Sequence, residues 1–104
     1  MTSFDDRAKA FESKFAHDAE MLFKAEARRN KLLGLWAAHL LGKSEEEAAV
    51  YVTEVIKADL SEAGDEDVFR KLAKDLVGHA DEATIRSKMA NLLVEAKAQL
   101  VTEL

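Results

Sequence analysis

Four groups of side chains in this sequence could do chemistry, and each is read by whether its partners are present. His17 and Glu20 stand three apart, which on a helix places an imidazole and a carboxylate on one face. A di-iron bundle needs two Glu-x-x-His motifs and two further carboxylates, and the chain has neither motif. His17 therefore reads as a surface histidine. His39 lies within the apolar run Leu32 to Leu41 and reads as a bonded histidine in or beside the core, whereas His79 follows Gly78 and reads as a loop residue. Gly64-Asp65-Glu66-Asp67 offers the oxygen ligands that hard divalent cations prefer. Its spacing departs from the Asp-x-Asp-x-Asp-Gly of a calcium loop, and an acidic first turn for a helix at 66–77 explains it more simply. Ser3, Ser44, Ser61 and Ser87 have no histidine and acid at a recognisable spacing, and no glycine-rich phosphate loop is present. No metal site and no catalytic centre is predicted, so the chain reads as a non-enzyme.

Arg28, Arg29 and Lys31 form a basic cluster, with Trp36 about a turn and a half further on. Guanidinium groups suit phosphate, and a base could stack on an aromatic ring, so a small nucleotide is one reading. Ion pairs within the chain and core packing of Trp36 are the other. Nucleic acid is disfavoured by Glu26 and by the charge balance, which is −5 overall. Residues 44–68 hold nine acidic side chains against Lys57 alone, a field that repels nucleic acid and attracts a basic protein surface.

A further feature is a row of apolar residues near the amino terminus: Phe4, Ala8, Phe11, Phe15, Ala19 and Leu22. On a helical wheel they fall within roughly 80° of one another, narrower than the stripe of a core-facing helix and suited to a single partner helix. Glu26 and Arg29 then land on the same face before Leu33, Trp36 and Leu40 resume it. The pattern predicts an arm set off from the core by a polar joint at Glu26 and Arg29. Two uses of the arm stay open: Phe4, Phe11 and Phe15 close the bundle, or they bind another molecule. A membrane-surface helix ranks last, because Asp5, Asp6, Glu12, Asp18 and Glu20 spoil a basic polar face.

The elements that must position these groups are helices. The chain of 104 residues has no proline, no cysteine and four glycines, and is rich in Ala, Leu, Glu and Lys. It reads as one all-α domain spanning 1–104, without disulfides or thiolate sites. No signal peptide or membrane span is evident, which points to a cytoplasmic protein. Ser3 with Asp6 reads as a helix start, and the pattern continues to Leu41 and stops at Gly42. A straight helix of that length would reach about 57 Å, too long for so small a domain, so a bend or break is expected between 19 and 31. Ser44-Glu45-Glu46-Glu47 matches a capping box opening a helix over 45–63, with Val52, Val55, Ile56 and Leu60 as its core face and Gly64 closing it. Val68, Phe69, Leu72, Leu76 and Val77 outline a shorter helix ending at Gly78. Asp81 caps a last helix with the stripe Ile85, Met89, Leu92, Leu93, Ala96 and Leu100. Leu32, Leu33, Leu35, Trp36, Leu40 and Leu41 nearly encircle their helix, which should be the most buried, packed by the helix at 45–63 and the last helix. The short connections at 42–44 and 78–81 favour antiparallel neighbours.

The string Phe-Asp-Asp-Arg-x-Lys-Ala-Phe-Glu-x-Lys-Phe-Ala-His-Asp at 4–18 resembles the inhibitory zeta subunit of alphaproteobacterial F-type ATP synthase. Phe-Lys-Ala-Glu-Ala-Arg-Arg-Asn-Lys-Leu-Leu-Gly-Leu-Trp-Ala at 23–37 and Ala-Gly-Asp-Glu-Asp-Val-Phe-Arg-Lys at 63–71 agree with it, and residues 72–91 resemble the family least. The resemblance implies a small four-helix bundle that binds the catalytic head of ATP synthase, contacting its alpha, beta and gamma subunits, and suppresses ATP hydrolysis. It makes residues 1–19 a mobile inhibitory arm that enters an alpha/beta catalytic interface beside the gamma shaft. Phe4, Phe11 and Phe15 would be its buried anchors, with Asp5, Asp6, Arg7, Lys9, Glu12 and Lys14 fixing orientation. No cofactor is required under this reading; ADP or ATP at Arg28, Arg29 and Lys31 is the candidate regulatory ligand. The protein would be peripheral to the inner membrane when bound.

Overall fold

The computed structural model describes residues 18–59 and 65–103. These form four helices, α1 (Ala19–Leu40), α2 (Glu45–Asp59), α3 (Glu66–Asp75) and α4 (Glu82–Thr102), with no strand among the described residues. The protein is an all-α bundle. Helix α1 packs against both α2 and α4, and α3 bridges the far sides of those two.

The helix ends follow from local chemistry. At the end of α1, the Lys43 amide donates to the Ala38 carbonyl and the Gly42 amide to the His39 carbonyl, with Gly42 at φ 70°. This is the Schellman arrangement, in which a left-handed glycine lets two orphan carbonyls find donors. The capping box forms as expected: the Ser44 amide donates to Glu47 at 2.9 Å and the Glu47 amide to Ser44 Oγ at 3.2 Å. Asp81 accepts from the Thr84 amide at 2.7 Å and starts α4. Gly78, at φ 84°, turns the chain after α3.

The main core collects Leu33, Val55, Val68, Leu72, Leu76 and Ile85, all fully buried, with Tyr51, Phe69, Met89 and Leu92 around them. Each large aliphatic side chain removed from water contributes about 1.5–3 kcal/mol. A second, smaller cluster joins Met21 and Ala25 at the start of α1 to Leu93, Leu100 and Val101 of α4. The antiparallel pairing of α1 with α4 brings these distant segments together.

Four expectations need correction. Helix α1 runs unbroken for 22 residues from its cap at Asp18, so the chain does not break between 19 and 31. Arg29 does not interrupt the buried face as a polar joint, because it is itself buried and neutralised there, at 1% exposure. His39 is exposed in the last turn of α1 rather than in or beside the core. Leu35, Ile56 and Val77 are exposed at 44%, 36% and 75%. Helix α1 has only two principal neighbours among the described residues, which leaves Leu35 facing outward, and Val77 lies past the end of α3. Leu60 and Gly64, expected to close α2, lie outside the described residues.

Candidate partner-binding surface

The arm residues Phe4, Asp5, Asp6, Arg7, Lys9, Phe11, Glu12, Lys14 and Phe15, together with His17, lie outside the described residues. What the structure describes is the platform to which they attach. Asp18 caps α1 by accepting a hydrogen bond from the Met21 amide at 3.0 Å. Its backbone is extended, at φ −120° and ψ 96°, the non-helical conformation usual for an N-cap residue.

The basic cluster divides between two sides of α1. Arg28 reaches across to α4, donating to Gln99 Oε1 at 3.3 Å and to Glu103 Oε1 at 2.8 Å, with a second contact to the other Glu103 oxygen. This fork raises the Arg28 pKa and lowers that of Glu103, since each hydrogen-bonds the other's charged form. Arg29 turns the opposite way. Its Nη2 donates to Asp65 Oδ1 at 2.9 Å and to Asn30 Oδ1 at 3.0 Å, its Nε donates to Asn30 Oδ1 at 3.1 Å, and Asp59 Oδ1 lies 3.9 Å away. Lys31 is exposed and shares a groove with Arg28. Thus Arg28 and Lys31 stand together, while Arg29 is committed to carboxylates on either side of residues 60–64.

Glu26 sits half-buried near this cluster. Burial raises its pKa first, and Asp65 and Asp59 add to the rise against the opposing pull of Arg29 and Lys97. The acidic run is likewise engaged by arginines: Asp65 by Arg29, Glu66 by Arg86 at 3.1 Å, and Asp67 by Arg70. No group of three or more metal-ligating side chains occurs among the described residues. Trp36 is partly buried against the main core, with Lys88 Nζ 5.7 Å from its ring centre.

The first two turns of α1 border an open groove of about 580 Å³. Met21, Phe23, Ala27 and Lys31 of α1 line it with Ile56 of α2 and Leu100 of α4, and the Arg28–Glu103 pair stands at its edge. Phe23 is 66% exposed, an unusual placement for an aromatic ring in so small a bundle. The groove is mostly apolar with a basic rim, a surface suited to an amphipathic helix bearing acids.

Three further relationships go beyond the sequence reading. A Cβ on Gly34 would lie 2.9 Å from Val52 Cα, so the glycine is what lets α1 and α2 approach. Tyr51 donates to Asp75 Oδ2 at 2.8 Å, where Lys71 also donates at 3.0 Å, tying α2 to α3. The Arg86 guanidinium stacks 3.7 Å from the Phe69 ring centre. A lone glycine inside a strong helical pattern is the one available signal for the first; the others depend on tertiary placement.

A family model described as ATPase inhibitor subunit zeta matches residues 1–99, the amino-terminal segment included. The chain belongs to that family. This zeta-family chain is similar to a protein whose structure was determined in solution by NMR, with 60% sequence identity and a TM-score of 0.74 over 81% of this chain and 99% of that one. Comparison with curated proteins found no match. An inhibitor-subunit family is not itself catalytic, and membership in the zeta family implies association with the F-type ATP synthase. No helix among the described residues is long and apolar enough to cross a membrane.

Proposed function

We propose that this zeta-family chain inhibits ATP hydrolysis by inserting residues 4–15 as a helix at an alpha/beta catalytic interface of the F-type ATP synthase, beside the gamma shaft. Phe4, Phe11 and Phe15 would be buried in that interface as anchors, and Asp5, Asp6, Arg7, Lys9, Glu12 and Lys14 would set orientation through charged contacts. A helix wedged there holds the interface in one of its states, so rotation in the hydrolytic direction stalls. The protein would then lie at the inner membrane as a peripheral component of the enzyme.

The observation that carries this reading is the family match over residues 1–99, which takes in the aromatic row at 4–15. Three phenylalanines spaced along one narrow seam offer the apolar area by which a helix anchors in a partner's groove. The test compares ATPase activity of a cognate catalytic head with the full chain and with a chain lacking residues 1–19. Inhibition by the full chain alone supports the wedge, and equal inhibition by both refutes it.

Nucleotide binding at Arg28, Arg29 and Lys31 is the second reading. It draws on Arg28 and Lys31 sharing one groove with exposed Phe23, and it is weakened by the commitment of Arg29 to Asp65. Titration with ADP while following Trp36 fluorescence tests it, and no response at about millimolar nucleotide, a binding free energy near −4 kcal/mol, would set it aside.

A further inference from the structure

We propose that the groove between α1, α2 and α4 is a foothold of the bundle itself, docking an amphipathic helix of the ATP synthase catalytic head that carries carboxylates along one side. The inference deepens the partner reading above: it rests on association with that enzyme and makes no use of where the arm goes. Three observations choose this surface and this occupant.

The first is what is left uncovered. Among the described residues the exposed large apolar side chains include a single aromatic, Phe23, and it shares the groove with another of them, Ile56. Phe23 belongs to α1 and Ile56 to α2, so helix packing has brought two uncovered apolar groups into one concavity, whose floor Met21, Ala27 and Leu100 extend. Aromatic side chains are enriched where protein interfaces bury most of their energy. The groove is open to solvent, which suits a helix laid in it better than a small molecule, whose surface a site must mostly enclose.

The second is a row of charge. Lys24, Arg28 and Lys31 follow one another at spacings of four and three, so they stand on one strip of α1 about 10 Å long. Arg28 is already spent on Glu103, to which its Nη2 donates at 2.8 Å. Lys24 lies 3.3 Å from the exposed Glu20, a surface bridge of little strength, and Lys31 is exposed on the rim. An incoming carboxylate thus finds two ammonium groups two turns apart.

The third is contrast. The chain carries −5 overall, and residues 44–68 hold nine acidic side chains against Lys57, whereas the groove is lined by three cations and one carboxylate. An acidic helix is repelled by the surface at the start of α2 and drawn to this strip, and the same field turns away an anionic lipid surface. The occupant sets its apolar stripe on Phe23, Ala27 and Ile56 and its carboxylates beside Lys24 and Lys31. Contacts of this kind hold the bundle to the enzyme without themselves stopping rotation, so affinity and extent of inhibition become separable.

Full-length variants test this against the cognate catalytic head by titration calorimetry, with ATPase activity followed in parallel. Phe23→Ser, at a side chain 66% exposed, should weaken binding by about tenfold and leave the melting temperature of the free protein unchanged. Lys24→Glu with Lys31→Glu should weaken it by at least about tenfold at low salt, and by much less in about 0.5 M salt, where the charges are screened. Both should inhibit as fully as the unaltered chain once saturating, because their fault lies in affinity. Val94→Ser, at a side chain 63% exposed but outside the groove, should bind normally. Groove variants that bind within about twofold of the unaltered chain overturn the proposal, as does an equal loss in Val94→Ser. So does a dimer of the free chain that Phe23→Ser dissociates in sedimentation, which makes a second copy the occupant. Loss of binding to phosphatidylglycerol vesicles in the charge-reversed chain, with affinity for the head retained, makes a membrane the occupant and overturns it too. Should the full chain bind the head without inhibiting, the wedge fails and the groove does not: weaker binding by the same variants still supports it.

Discussion

Arg29 and Asp65, 36 positions apart in sequence, meet at 2.9 Å and fix both sides of the segment between α2 and α3 to the middle of α1. Asp59, the last residue of α2, stands 3.9 Å from the same guanidinium nitrogen, and Asn30 accepts two of its hydrogen bonds. The guanidinium is 1% exposed, whereas Asp65 is about half exposed, so the arginine bears the larger desolvation. Arg29→Ala removes the buried cation at this point and leaves Glu26, Asp59 and Asp65 to repel one another. A loss of about 3 kcal/mol is expected, read as a lower urea midpoint at unchanged slope. Asp65→Asn, which keeps a hydrogen-bond acceptor, should lose about 1 kcal/mol.

Glu26 predicts a pH dependence of a particular sign. Its folded pKa is raised above the ordinary 4.5, by burial first and then by Asp65, so ionisation is harder in the folded chain than in the unfolded one. Its favourable contribution is complete below 4.5 and is lost as pH rises through the folded value. Glu26→Gln should therefore stabilise the protein at pH 7, with the gain fading near pH 4. Asp75 runs the other way. Burial works to raise its pKa, but hydrogen bonds from Tyr51 and Lys71 prevail and hold it below 3.8. The stability it gives at neutral pH falls away as pH drops below that value, so Asp75→Asn should be most damaging near pH 7. Urea midpoints for both variants across pH 3 to 7 check the two signs together.

Gly34 predicts a failure of helix propensity as a guide. Replacing a mid-helix glycine with alanine ordinarily gains about 1 kcal/mol. Here the new Cβ would stand 2.9 Å from both Val52 Cα and Val52 Cγ2, and backbone cannot swing aside. Gly34→Ala should destabilise by about 1–3 kcal/mol through forced separation of α1 and α2. Adding Val52→Ala should recover only part of this, since the clash with the backbone of α2 persists. Thermal melts of the single and double variants decide the matter, and a Gly34→Ala protein more stable than the parent would show that the helices separate freely.

For the arm, Phe11→Ala and Phe15→Ala should each weaken inhibition of ATP hydrolysis by at least about tenfold, as loss of a buried aromatic anchor does. The melting temperature of the free protein should fall only modestly. Variants that unfold the bundle yet inhibit normally would make the arm structural.

Where the sequence was legible, the controlling interaction was local. The capping box at Ser44 and Glu47, the cap at Asp81 and the glycine turns at 42 and 78 involve partners within a few residues, so their signatures are written contiguously. The stripe of α4 was equally clear, because a helix lying along the core on one side leaves a regular period. Arg29 misleads for the opposite reason. On a wheel it is a charge on an apolar face, and whether that marks a joint or a buried ion pair depends on an aspartate that only the turn between α2 and α3 delivers.

The same division holds for function. By itself the sequence determined that the chain is all-helical, where most of its helices start and stop, and, through strings at 4–18, 23–37 and 63–71, the family to which it belongs. Those properties reside in propensity, capping and the order of residues, which exist before the chain folds. Tertiary structure alone decided that Arg28 faces Glu103 while its neighbour Arg29 faces Asp65, that Gly34 is a close approach between helices rather than a weakness, and that Phe23 is left exposed beside the root of the arm. Adjacent residues on a helix point about 100° apart, so what each one meets is set by which other helix passes there.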